Sequence, residues 1–296
     1  MNCTDKLISH NNETTLNLDS HRNRIACNTN LTLSLNETLR LLDEIVEFEL
    51  GRFLLMNKGL NGYWTSYIIL LAVQHELTHP LEHWLIHDCP GILATQERFK
   101  IFNQQLTNSL RNNISIASIP CGLMDDLLLL NDDNFTNISR VGIDLDENSL
   151  NLAAASAYNK KKEKSSSFLH MNAWHLNAHE SYDVITSNGL NIYESNQDKV
   201  KELYRIFFNA LKPNAVLITS FLTPPPSLSN ESTWKNINPD NLLKQKAIFN
   251  DILQVGWQSY QTEGDVRNQL SKVGFTSIDI IYDSQGMFPT VVARKL

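Results

Sequence analysis

Two groups of residues have types and spacings that could support chemistry. The first is the stretch QHELTHP at residues 74–80, in which His75, Glu76 and His79 form the pattern H-E-x-x-H. On a continuous helix, the two histidines would share a face and could bind zinc, while the glutamate would activate a water molecule. Pro80 follows directly, and its ring and missing N–H should end or kink such a helix. A zinc metallohydrolase is therefore one hypothesis, which the proline weakens.

The second group pairs a glycine with a later acidic residue. Gly122 follows a predicted strand, in a stretch that also contains Ser118, Pro120 and Cys121, and Asp144 lies 22 positions after the glycine (144 minus 122). A glycine lets the backbone approach a ligand closely. An acidic side chain about 20 residues later can accept hydrogen bonds from a ribose diol. This spacing predicts a nucleoside site.

Polar and aromatic residues also follow the next two predicted strands. Asn172, Ala173 and Trp174 follow the third strand, and Asn188 and Gly189 follow the fourth. In an open parallel sheet, ligands bind beyond the carboxyl ends of the strands. The amide and the ring of the first set could bind and stack on a purine, and the second set would face the reacting substrate group.

The elements that must position these residues are short apolar strands alternating with helical segments. Strands are predicted at 114–119, 141–143, 168–171, 182–186 and 215–221, with helices at 123–130, 147–158 and 198–211. This alternation is typical of a doubly wound parallel sheet with helices on both faces. Two final strands, 276–282 and 287–293, are joined by a hairpin-length segment, so the last strand should run antiparallel.

The chain divides into three regions by composition and periodicity. Residues 1–30 are polar and carry no period, which predicts a mobile tail. Residues 31–110 are helical in pattern and begin with the capping box Ser34-Leu35-Asn36-Glu37, which predicts a helical lid. Residues 111–296 form the predicted α/β domain, with a proline-rich insertion at about 223–240 that could be either a wall of the active site or a surface loop.

The α/β half resembles the class I S-adenosylmethionine-dependent methyltransferases, a Rossmann-like family with a seven-stranded sheet. The resemblance rests on SIPCGLMDD, VGIDLDENSLNLA, HMNAWHL before YDVITSNGL, and ALKPNAVLITSF. It implies S-adenosylmethionine as cofactor and methyl transfer by in-line displacement. Pro120 and Met124 stand where the family's loop usually has glycines, and Asn172 replaces a common acidic residue. The predicted cofactor-binding residues are Tyr63, Tyr67, Ser118, Pro120, Cys121, Gly122, Asp144, Leu145, Asn172, Ala173, Trp174, Asn188 and Gly189.

The sequence indicates the methyl acceptor and the catalytic groups less directly than it indicates the cofactor. A helical lid over the sheet favours a small-molecule acceptor, with YWTSY at residues 63–67 and the following helix covering the pocket. His79 and Tyr193 are the candidate general bases, although positioning alone can suffice for this reaction. A non-catalytic protein that binds a nucleoside remains a third hypothesis.

Composition limits the partners and the compartment. The 296 residues carry a formal net charge of -7, which argues against nucleic acid as a partner. No apolar run is long enough to predict a membrane span, and the four cysteines lack C-x-x-C spacing. We therefore expect a cytoplasmic protein without a structural metal. The sequence indicates nothing about its oligomeric state.

Overall fold

The computed structural model describes residues 16–74, 76–256 and 259–296. They form a seven-stranded sheet with helices on both faces and a further set of helices above the carboxyl ends of the parallel strands. The strands are β1 (Ser115–Ser118), β2 (Ser139–Asp144), β3 (Ser166–His170), β4 (Tyr182–Ser187), β5 (Leu211–Ser220), β6 (Thr276–Ile281) and β7 (Thr290–Arg294).

The α-helices are α1 (Leu18–Ala26), α2 (Leu35–Ile45), α3 (Glu49–Asn57), α4 (Gly62–Ser66), α5 (Ala72–Gln74), α6 (Pro80–His87), α7 (Pro90–Ser109), α8 (Asp125–Leu128), α9 (Glu147–Asn159), α10 (Gln197–Ala210), α11 (Pro239–Lys246) and α12 (Glu263–Val273). Two segments, Tyr67–Leu71 and Ala247–Leu253, are π-helical. Short 3-10 turns occupy Glu163–Ser165, Ala173–His175 and Leu190–Tyr193.

The strand order of the sheet is β3-β2-β1-β4-β5-β7-β6. Strands β1 to β5 are parallel, and β7 runs antiparallel to both β5 and β6. The predicted doubly wound sheet with an antiparallel last strand is confirmed. Strand β7 begins later than predicted, because the N–H groups of Met287 and Phe288 donate to the Asp283 carboxylate instead of to a neighbouring strand.

Both faces of the central strands are buried, as their sequences require, whereas the edge strands β3 and β6 are partly exposed. Every residue of β4 is buried, with Ile185 packed in the cluster on one face and Val184 in the cluster on the other. Successive side chains of a strand point to opposite faces, so an unbroken apolar strand needs cover on both sides. Helix α10 supplies Phe207 to one cluster, and α7 supplies Phe102 to the other.

The helices above the sheet come from two separate parts of the chain. Their shared core joins buried residues of α1 to α7 to Ile248, Phe249 and Ile252 of the π-helical segment after β5. Arg24 donates to the backbone carbonyls of Asp251 and Ile252 at 2.6 Å each. We call α1 to α7 together with residues 239–253 the helical layer. Residues 239–253, assigned from the sequence to the α/β domain, thus pack with the N-terminal helices.

The prediction of a mobile tail over residues 1–30 is wrong for Leu18–Ala26, which form α1 and pack into the core of the helices through Ile25. Ile25 at 0% exposure and the bonds of Arg24 anchor this helix to the distant Ala247–Leu253 segment. Such anchoring depends on tertiary contacts, so local periodicity could not reveal it. The rest of the predicted tail, residues 1–15, lies outside the described residues.

The helical layer approaches the α/β domain closely at two glycines. A Cβ atom on Gly62, the first residue of α4, would lie 2.7 Å from the Cα of Gly122 and 2.5 Å from the Ser149 hydroxyl oxygen. Real Cβ contacts are not this short, so only glycine allows the helix to sit on the loop after β1. This contact positions one wall of the cavity described below.

We predict that Gly62→Ala destabilises the protein by about 1–3 kcal/mol, because the added methyl must displace α4 from the Gly122 loop. Urea denaturation followed by circular dichroism would measure the change. Gly264→Ala is the matched control, since a Cβ there meets only the Thr262 hydroxyl at 3.7 Å. An equal loss of stability in both variants would contradict the prediction.

Candidate active site

A cavity of about 440 Å³ lies between the helical layer and the carboxyl ends of the parallel strands. Its size falls in the range of about 300–1,000 Å³ that is typical of small-molecule sites. All the residues predicted to bind a cofactor line it, except Tyr63 and Tyr67. These are Ser118, Pro120, Cys121, Gly122, Asp144, Leu145, Asn172, Ala173, Trp174, Asn188 and Gly189.

Asp144 and Gly122 are joined directly. The Gly122 N–H donates to one carboxylate oxygen of Asp144 at 2.8 Å, and the Asp146 N–H donates to the other at 2.9 Å. Gly122 has a φ of +51°, the left-handed region that favours glycine. Burial raises the pKa of the Asp144 carboxyl, and the two backbone hydrogen bonds oppose that rise. The two residues selected by spacing thus hold each other at the cavity wall.

The loops after β3 and β4 are fixed by hydrogen bonds of their own. The Asn172 side chain accepts from the Trp174 N–H at 3.1 Å, and the Trp174 indole donates to the Lys199 carbonyl at 3.1 Å. Gly189 adopts a φ of +89°. The Asn188 side-chain oxygen lies 3.5 Å from the Ser220 hydroxyl at the end of β5. These bonds set the orientation of the amides and the ring beside the cavity.

Two acidic residues at the start of α8 were missed by the sequence reasoning. One oxygen of Asp126 accepts from the hydroxyls of Ser118 at 2.9 Å and Thr186 at 2.7 Å, which links β1 to β4. Burial raises the pKa of Asp126 to about 6. Burial also raises the pKa of Asp125, while a hydrogen bond with Ser66 of α4 opposes that rise. The signal in the sequence was the pair of aspartates three and four positions after Gly122.

The helical layer also lines the cavity with residues in and beside α4 and α7, of which only Thr65 and Ser66 lie in the predicted stretch YWTSY. Both sets follow helical spacing, which was the available signal. They are Asn61, Gly62, Thr65, Ser66 and Ile69, and Gly91, Ile92, Thr95, Arg98 and Phe99. Arg98 is the notable member, because it is a buried charge at 8% exposure.

Three predicted site residues do not line the cavity. Tyr63 packs edge-on against Trp64 and is 39% exposed, and the Tyr67 hydroxyl donates to Glu82 at 2.8 Å. The opposite side of the same helix faces the cavity, which Thr65 and Ser66 of the stretch YWTSY line. His79 caps α6, and its Nε2 lies 3.0 Å from the Glu47 carboxylate. Of the two candidate bases, only Tyr193 lines the cavity.

The helix that a zinc motif requires is interrupted. Helix α5 ends at Gln74, residues 76–78 are not helical, and α6 begins at Pro80. Pro80 is the first residue of α6, where its missing N–H carries no cost. His75 lies outside the described residues. Within the described ranges, no group of three or more His, Cys, Asp or Glu residues could hold a metal ion.

The insertion at 223–240 does not line the cavity within the described residues. Its Trp234 and Ile237 pack instead on Met287 and Phe288, in the loop before β7. The interpretation as a surface insertion is therefore the better one, although this segment supports Phe288, which does line the cavity.

The structure is similar to several solved structures. A crystal structure from Bordetella parapertussis, described as a possible exported protein, is 39% identical over 94% of each chain, with a TM-score of 0.90. A protein from Nostoc punctiforme PCC 73102, provisionally described as an O-methyltransferase, is 14% identical over 85% of this chain and 70% of its own, with a TM-score of 0.52. The [4+2]-cyclase SpnF is 13% identical over 68% of this chain and 82% of its own, with a TM-score of 0.50.

The chain belongs to the family of the Bordetella protein and has the class I methyltransferase fold. No family model and no curated protein matches the sequence. At 13% and 14% identity, the Nostoc protein and SpnF show the fold alone. The methyltransferase fold can carry different reactions, since one of these neighbours is described as a cyclase, so the reaction must be argued from the site.

We predict that Asp126→Asn changes how stability depends on pH. The pKa of Asp126 is raised from 3.8 to about 6, so the folded protein binds this proton more tightly than the unfolded chain does. Stabilisation from this proton is present at low pH and is lost as the pH rises through about 6. Relative to the unmodified protein, the asparagine variant should therefore gain stability between about pH 4 and pH 7, as measured by urea midpoints.

Asp198→Asn is the control for this experiment. Asp198 is an exposed carboxylate whose pKa is lowered by a hydrogen bond from Lys201, so its substitution should not produce the gain. A constant difference between Asp126→Asn and the unmodified protein at all pH values would show that Asp126 does not titrate as expected.

Proposed function

We propose that this protein is an S-adenosylmethionine-dependent methyltransferase that acts on a small-molecule acceptor. The observation that carries the proposal is the position of Asp144, which ends β2 at the cavity wall and holds the Gly122 loop by a 2.8 Å hydrogen bond. In a doubly wound sheet, an acidic residue at this position is suited to binding a ribose diol.

The cavity suits the chemistry of the cofactor. Each Asp144 oxygen accepts one backbone N–H, and a carboxylate oxygen has capacity for a second donor. Asn172, Ala173 and Trp174 line the neighbouring wall, where a purine could be bound and stacked. The carboxylates of Asp125 and Asp126 supply negative charge, which favours a sulfonium and an ammonium group.

When bound, S-adenosylmethionine would supply an electrophilic methyl group. Asp144 and the Gly122 loop would hold its nucleoside part, and a group of the chain or solvent would take the proton that the acceptor loses. The chain's own residues would orient the acceptor and exclude water, which the helical layer above the strand ends favours. Tyr193 is the remaining candidate for the proton acceptor among the predicted bases, because His79 lies outside the cavity.

We predict that Asp144→Asn weakens binding of S-adenosylhomocysteine at least about tenfold, measured by calorimetry. The asparagine presents one acceptor oxygen where the carboxylate presents two, so the diol or the loop loses a bond. Asp198→Asn should leave the affinity unchanged. Because Asp144 also holds the loop, the 2′-deoxy analogue of S-adenosylhomocysteine separates the two roles.

The unmodified protein should bind the deoxy analogue more weakly than S-adenosylhomocysteine. Asp144→Asn should bind the two ligands equally. If Asp144→Asn discriminates as strongly as the unmodified protein does, Asp144 does not contact the diol. A lack of nucleoside binding by the unmodified protein would overturn the proposed function. Binding without formation of S-adenosylhomocysteine across an acceptor panel would support the non-catalytic alternative.

We also propose a cytoplasmic location, where S-adenosylmethionine would be available to the enzyme. Cys27, Cys89 and Cys121 are free thiols, which fits a reducing compartment. Within the described ranges, no helix has the length and apolar character needed to cross a membrane. Cell fractionation should recover the protein with a cytoplasmic marker. Recovery in an exported fraction, as the description of the Bordetella protein suggests for that relative, would contradict this location.

A further inference from the structure

Arg98 is a charged residue that lacks an ionic partner in the cavity wall. It lies on the face of α7 that lines the cavity, and its side chain is buried. One guanidinium nitrogen lies 3.4 Å from the Ser220 hydroxyl, and the group stacks over the Phe288 ring at 4.7 Å. Among the ion pairs of the described residues none includes Arg98, and its Nε–H has no hydrogen-bond partner.

The acidic group that acts on Arg98 is Asp283, whose carboxylate already accepts other hydrogen bonds. Asp283 lies close enough to favour the charged form of Arg98, but its carboxylate accepts the backbone N–H groups of Gln285, Met287 and Phe288. Burial lowers the pKa of Arg98 to about 10, so the guanidinium remains charged at neutral pH. A buried charge without an anionic partner destabilises a fold, and such a charge beside a cavity is suited to an anionic ligand.

The position of Arg98 separates it from the predicted nucleoside site. Its contacts, Ser220 and Phe288, lie at the end of β5 and just before β7, whereas Asp144 ends β2. Strands β2 and β5 are three places apart in the sheet, which corresponds to about 14 Å. Arg98 is also close to Tyr193, the candidate base. It therefore belongs to the part of the cavity left for the acceptor.

We propose that Arg98 binds a carboxylate of the methyl acceptor, so that the substrate class is a small carboxylic acid. This inference rests on the proposed methyltransferase function. A guanidinium presents two parallel N–H groups that match the two oxygens of a carboxylate. A dianionic phosphate fits less well, because acidic residues dominate the charge of the same cavity. They are Asp125, Asp126, Asp144, Asp146, Glu194 and Glu202.

The test uses benzoate as the probe and benzamide as its neutral counterpart. Each is titrated by calorimetry into the protein saturated with S-adenosylhomocysteine, and again into the protein without nucleoside. The unmodified protein should bind benzoate at least about tenfold more tightly than benzamide. Arg98→Met should lose this preference, and Arg98→Lys should keep part of it. Arg267→Met is the control, since Arg267 is paired with Glu263 on α12, outside the cavity.

Thermal unfolding separates a binding role from a structural role. If the role of Arg98 is to bind an anionic ligand, Arg98→Met removes an unpaired buried charge. The Tm of this variant should then equal or exceed that of the unmodified protein. A lower Tm in Arg98→Met, together with no preference for benzoate in the unmodified protein, would assign Arg98 a structural role and overturn the proposal.

A second arm identifies the source of the carboxylate, because the methionine part of the cofactor also carries one. Arg98→Met should bind S-adenosylhomocysteine and 5′-methylthioadenosine, which lacks that carboxylate, as well as the unmodified protein does. If Arg98→Met weakens binding of S-adenosylhomocysteine and not of 5′-methylthioadenosine, Arg98 contacts the carboxylate of the cofactor, and the acceptor proposal is overturned. If no nucleoside binds at all, the proposed function fails, and the benzoate titration without nucleoside still decides whether Arg98 is a carboxylate site.

Discussion

The hydrogen bond between the Gly122 N–H and the Asp144 carboxylate is the interaction on which the cavity depends. It ties the loop after β1 to the end of β2, and α4 rests on that loop through the contact between Gly62 and Gly122. The class I methyltransferases that the sequence resembles usually have several glycines in this loop. This chain has Pro120 and Met124 at two of those places. One glycine suffices here because the Asp144 carboxylate holds the loop on one side and α4 packs on its other side.

The cavity also has an uneven distribution of charge. Asp125, Asp126 and Asp144 lie along the ends of β1 and β2, whereas Arg98 lies at the end of β5. Carboxylates in such a partly buried site favour a cationic group, and a guanidinium favours an anionic one. The two ends of the cavity are thus suited to ligand groups of opposite charge, which would fix the direction in which two substrates lie relative to each other.

The sequence was sufficient to predict a doubly wound sheet with an antiparallel last strand, because strand periodicity and the alternation of strands with helices are local signals. The residues after each strand were also predictable, since topology alone places strand ends together. The helical layer was harder to predict from the sequence. Tyr63 and Tyr67 belong to the stretch predicted to cover the pocket, but Tyr63 packs on Trp64 and stays partly exposed, and the Tyr67 hydroxyl donates to Glu82 of α6. Arg98 was missed because a single arginine in an amphipathic helix gives no sign of being buried.

The dual origin of the helical layer constrains how ligands enter. Residues 239–253 reach it from β5 and return to α12, while α7, about 30 Å long, runs from the layer onto the sheet. A cover joined to its base at several places cannot swing open about one hinge. Opening of this layer would need local shifts within it, and the π-helical turns at Tyr67–Leu71 and Ala247–Leu253 are irregular segments of the layer. The layer is consequently an integral part of the protein's architecture and cannot be treated as a removable module.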